Sequence, residues 1–241
     1  MMKKQNTRDL IYITCSDLKS KCFYSYGIEF NEFMSCVHNR PENLILLKHN
    51  FDNAQWNPHS KFDFVTSEEI CELIEDNVYG YGDFCWVDFD HEEDLNKMTK
   101  LQIAELLFFG HLAKPLHEIP MRRFAYYAHD DGWFNKHYVS RLKDYEVLLS
   151  RVITMKLRKL TRRTFDEMPN DIAKLLLEST LEGLFIDLSK STKSNTDIKI
   201  PITAIGHYTD MDKVYDFKNE IIDYKAWLVY SKKTWKFFRE D

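Results

Sequence analysis

Two pairs of aspartates carry the chemistry that this sequence could perform. Asp88 and Asp90 close the apolar run Phe84-Cys-Trp-Val-Asp-Phe-Asp, and Asp130 and Asp131 follow a second run, Phe124–Ala128. Carboxylates at the mouths of two strands could share a Mg²⁺, which prefers hard oxygen ligands and can clamp a phosphoryl group. The structural reading is plainer: Asp90–Asp94 is a solvated turn, and Asp88 is a strand residue with a partner. A carboxylate set among apolar residues needs a specific partner or an exposed edge.

His129 and His137 flank the second pair and invite a metal reading. Asp131-Gly132, however, is a strong two-residue hairpin signal. With that turn, His129 pairs with Phe134 and Tyr126 with His137, so the histidines face opposite sides of the sheet. A structural hairpin is the better reading. In His207-Tyr-Thr-Asp-Met-Asp212, Thr209 and Asp212 have the spacing of a helix cap. No G-x-S-x-G, P-loop, G-x-G-x-x-G or H-E-x-x-H is present. No cofactor and no resident metal are expected, and the non-enzymatic reading leads.

Charge is distributed unevenly. Between Phe62 and Asn96 lie twelve acids and no lysine or arginine. The whole chain has 38 acids against 33 Lys and Arg; outside this segment 26 acids face the same 33 bases. Such a split bears on partners and fields rather than on fold. The exposed part of the acidic segment is expected to be Glu68, Glu69, Glu72 and Glu75 on a helix, with Asp90, Glu92, Glu93 and Asp94 in a turn. Its counterpart runs from Arg151 to Arg163, where Arg151, Arg158 and Arg162 form a helical stripe that Lys159 and Arg163 widen. That stripe could contact nucleic-acid phosphates.

These residues need elements to position them. Length and a 44% hydrophobic composition fit one globular domain over 1–241, with a candidate division into a main lobe 1–164 and a C-terminal lobe 165–241. Short β-type runs are expected at 10–15, 22–30, 43–48, 84–89, 123–129, 133–139, 184–188, 198–205, 226–230 and 235–238. About six helices are expected between them, near 32–39, 68–77, 100–113, 141–162, 169–179 and 210–223. Thr66 with Glu69, and Thr99 with Gln102, have capping-box spacing. Strands arriving in hairpins with helices between some of them give an α+β fold on an antiparallel or mixed sheet. Five scattered cysteines with no C-x-x-C pair indicate reduced, mostly buried thiols and a cytoplasmic setting. No apolar run is long enough to span a membrane.

Two resemblances follow from these blocks. Asp88-x-Asp90 after an apolar strand resembles the first motif of haloacid-dehalogenase-type phosphatases. That likeness implies a nucleophilic Asp88, an acid/base Asp90, and a Mg²⁺ with Asp130 and Asp131 as further ligands. Glu92 departs from the Thr or Val usual there, and a hairpin after Asp131 conflicts with that family's parallel sheet. Over most of its length, through blocks such as Asn43-Leu-Ile-Leu-Leu-Lys and Ala128-His-Asp-Asp-Gly-Trp, the chain resembles an uncharacterised family of soluble bacterial proteins. That likeness implies no activity.

The leading expectation is therefore a regulatory or protein-binding molecule whose acidic surface meets a basic protein partner, with immunity or counter-defence as one version. Metal-dependent phosphohydrolysis and nucleic-acid binding through the basic helix are the alternatives.

Overall fold

Alternation of side chains across a strand decides which residues meet which layer, and in this chain both faces of the sheet bury apolar groups. The computed structural model describes residues 9–39, 41–48, 62–75, 84–95, 97, 99, 123–129, 134–194, 196–208, 211–220, 224 and 226–239. The helix expected at 100–113, the turn at Asp130–Gly132, and Thr209 lie outside them. So do Asp76, Asp83 and the side chain of Glu92.

The strands are β1 (Leu10–Thr14), β2 (Cys22–Tyr26), β3 (Asn43–Lys48), β4 (Phe62–Val65), β5 (Phe84–Phe89) and β6 (Phe124–His129). They continue with β7 (Phe134–Val139), β8 (Leu184–Asp187), β9 (Thr192–Lys193), β10 (Ile198–Ala204), β11 (Ala226–Ser231) and β12 (Thr234–Arg239). The order is β12-β11-β10-β8-β1-β2-β7-β6-β5-β3-β4, with β9 alongside β10. Every ladder is antiparallel. The mixed α and β composition and the hairpin-built antiparallel sheet agree with the sequence reading. β8 inserts beside β1, with Ile11 opposite Ile186, so strands from both ends of the chain share one sheet.

The helical segments are α1 (Phe30–Cys36), α2 (Ile70–Glu75), α3 (Glu92–Leu95), α4 (Leu142–Thr161), α5 (Asn170–Ser179) and α6 (Met211–Glu220). On one face of the sheet Ile11, Ile13, Phe23, Trp86 and Tyr126 pack with residues of α1, α4 and α5. On the other, Leu10, Tyr12, Tyr26 and Phe185 pack with Val214 of α6. α4 buries Tyr145, Leu148, Leu149, Val152, Ile153, Lys156 and Leu157. These positions repeat at three- and four-residue spacing, the stripe by which an amphipathic helix docks. Each buried aliphatic side chain there contributes about 1.5–3 kcal/mol. Lys156 breaks the apolar pattern, and its ammonium meets Glu32 of α1 at 2.7 Å.

Candidate functional site

The acidic segments depend on the register of β4, β3 and β5. Val65 pairs with Leu44, and Leu44 pairs with Asp88, so the three residues form one row across the sheet. β4 and β5 both run antiparallel to β3, so they exit at the same end, two strand spacings or about 10 Å apart. From β4 the chain enters the turn before α2; from β5 it enters Asp90 and α3. Asn43 between them donates to the Asp90 carbonyl at 2.6 Å. Ile70 is buried in the core beside α1, which turns Glu68, Glu69, Glu72 and Glu75 outward into solvent. Asp90 and Glu93 are exposed and Asp94 is half-buried.

Local bonds favour the ionised form of Glu69 and Asp94. Glu69 accepts the Thr66 backbone N–H and hydroxyl, both at 2.9 Å, which is one half of the expected capping box; the Glu69 N–H bonds the Thr66 carbonyl instead of its hydroxyl. Those bonds lower its pKa from the ordinary carboxylate value. Asp94 is likewise lowered by the Lys97 ammonium at 2.7 Å.

Asp88 is buried and paired inside the fold. Its side chain is fully buried, and Oδ2 accepts the Arg123 Nε–H at 2.9 Å. The same guanidinium donates to the Asn39 carbonyl at 2.6 Å, so it ties β5 to the chain just after α1. A nucleophile for phosphoryl transfer needs access to its substrate; Asp88 has none here. The antiparallel sheet also differs from the parallel sheet that the phosphatase resemblance implies. Asp130 and Asp131 lie outside the described residues.

The hairpin register reads as the sequence implied, with His129 opposite Phe134 and Tyr126 opposite His137. His137 is fully buried between Ser25 Oγ at 3.2 Å and the Tyr145 hydroxyl at 3.1 Å. Burial pushes its pKa down to about 3, so the imidazole is neutral. Among the described residues no group of three or more His, Cys, Asp or Glu is placed to hold a metal. Cys15, Cys22 and Cys36 are buried free thiols, whereas Cys71 is exposed; burial pushes the Cys36 thiol up to about 12.

The basic stripe does not present one continuous solvated face. Lys156 is buried against Glu32, and Lys159 reaches the same carboxylate at 3.4 Å. Arg151 donates to the Cys36 and Val37 carbonyls at 3.5 and 3.4 Å, and Arg158 to Phe165 O at 3.1 Å. α4 ends at Thr161; Arg162 follows in the left-handed region (φ 57°), and Arg163 bonds Ser194 O at 2.8 Å. Five of these cations therefore contact α1 or the segments after α4, while Arg158, Lys159 and Arg162 remain exposed to solvent. Lys156 lies off the predicted basic stripe and is 1% exposed. Its place on the apolar stripe of α4 is the signal that identifies it as a core residue.

A cavity of about 560 Å³ opens between α1, α4 and the start of α5, and both Arg151 and Arg158 line it. Neither the acidic end of the sheet nor this cavity inherits a role by kinship: no family model, no curated protein and no solved structure matches the chain.

Proposed function

We propose that this protein is a non-enzymatic binding or regulatory protein that engages a basic protein surface through the acidic end of its sheet. The supporting observation is the Val65–Leu44–Asp88 row, from which β4 and β5 both exit at one end. Their exits lie about 10 Å apart. That spacing is close to the Debye length of ~8 Å at physiological ionic strength, so the fields of α2 and of Asp90–Asp94 reinforce one another at low salt.

Complementary fields of this kind speed encounter and select partners more than they add affinity. Glu68, Glu69, Glu72, Glu75, Asp90, Glu92, Glu93 and Asp94 form the contact set. We assign the protein a reducing, cytoplasmic setting, which its buried free thiols suit. In an immunity or counter-defence role, the carboxylates would stand in for nucleic-acid phosphates on a basic partner.

Capture from cell extract on the immobilised full chain tests the proposal, at about 50 mM and about 500 mM salt, where the screening lengths differ roughly threefold. A basic partner retained at low salt and released at high salt is the expected result. Recovery of no partner, or binding indifferent to salt, overturns it.

A further inference from the structure

The cavity between α1, α4 and α5 is independent of the acidic surface, and its lining has a definite donor and acceptor pattern. Arg151 is half-buried, and among the described residues no carboxylate lies within ion-pair distance of it. Among the described residues its guanidinium has two long carbonyl contacts, at 3.4 and 3.5 Å. A partly desolvated cation held so loosely retains most of its capacity for an anion. Arg158 lies seven residues further along α4, about 10.5 Å along the helix axis. Asp166 and Glu167 also line the cavity, on the segment that leaves Phe165, whose carbonyl accepts from Arg158, and runs back along α4 to Asn170 beside Lys143.

Ser150, next to Arg151, donates its Oγ–H to Val147 O at 2.9 Å, and Thr154, between the two arginines, donates its Oγ1–H to Ser150 O at 2.7 Å. With their hydrogens committed to the helix, both oxygens offer the cavity only acceptors. The lining therefore combines two guanidinium groups with hydroxyl acceptors and two carboxylates.

We propose that this cavity binds a small molecule with an oxyanion at one end and hydroxyl or amino donors at the other. The oxyanion, a phosphate monoester or a carboxylate, sits on the Arg151 fork, the geometry in which guanidinium excels. The donors reach Ser150, Thr154 and Glu167. A volume near 560 Å³ falls within the range of about 300–1,000 Å³ typical of small-molecule sites.

Calorimetric titration of the full chain with glycerol 3-phosphate, glycerate and glycerol tests this and separates the two oxyanion sources. Saturable binding of glycerol 3-phosphate or glycerate, but not of glycerol, is expected. Arg151→Gln should weaken it at least tenfold and Arg158→Gln by a smaller factor, while Lys174→Gln, on the exposed side of α5, leaves it unchanged. Arg151→Lys keeps the charge without the fork and should also lose affinity, which covers the case that Arg151→Gln does not fold. Glu167→Gln should weaken glycerol 3-phosphate but not inorganic phosphate. Absence of saturable binding by both anions, or affinity unchanged in the Arg151 and Arg158 variants, overturns the proposal. So does Arg151-dependent binding of a short single-stranded RNA that glycerol 3-phosphate fails to displace.

Discussion

Glu32, Lys156 and Lys159 show how a charge survives in the core of this protein. Lys156 is 1% exposed and its pKa is lowered, burial being the main cause and Glu32 opposing it. Removing one member of such a pair costs about 3–5 kcal/mol, because the other is left buried and uncompensated. Glu32→Gln strands Lys156 and should cost in that range by denaturant unfolding. Lys156→Met should cost clearly less, because Lys159 at 3.4 Å still compensates Glu32. Equal losses would contradict the assignment. Asp88 follows the same logic: Asp88→Asn leaves Arg123 short of its counter-charge and should also cost about 3–5 kcal/mol. A variant as stable as the parent would reopen a functional role for that carboxylate.

At the scale of elements, the join between β2, β7 and α4 is a polar one made of Ser25, His137 and Tyr145. Phe23 stacks on Tyr145 with ring centroids 3.8 Å apart, which closes the site to water. With the His137 pKa at about 3 in the fold and near 6.5 unfolded, the unfolded chain binds the extra proton between those values. Stability from this group is therefore complete above about pH 6.5 and falls toward pH 3, by about 1.4 kcal/mol per unit. Unfolding at pH 7 and pH 5.5 should show a loss of about 1.3 kcal/mol from this residue. His137→Gln should remove that part of the pH dependence; an unchanged slope would refute the buried-imidazole account.

The β6–β7 register and the α4 boundaries were legible because hairpin and helical periodicities are local. β4 was not: Phe62–Val65 spans four residues and merges into the acid run. The β1–β8 ladder was not legible either, since residues so far apart in sequence leave no periodic trace of their pairing. The β11–β12 hairpin was legible from its two runs either side of Ser231-Lys-Lys-Thr, and its turn adopts left-handed φ at Lys232 (49°) and Lys233 (61°).

For the whole molecule, the charge split read from sequence acquires a location. α2 and the turn after β5 belong to one end of the sheet, whereas Arg151 and Lys156 of α4 meet groups of the chain itself. The β11–β12 hairpin, with Lys232, Lys233 and Lys236 exposed, lies at the opposite edge of the strand order. That separation allows a controlled comparison. The most direct test of the acidic-surface account is partner capture at low salt by three full-length proteins: the parent, Glu68→Lys/Glu72→Lys/Glu93→Lys, and Lys232→Glu/Lys236→Glu. The account predicts at least a tenfold loss of recovered partner in the first variant and parental recovery in the second. Equal recovery by the parent and the acidic-end variant would contradict it.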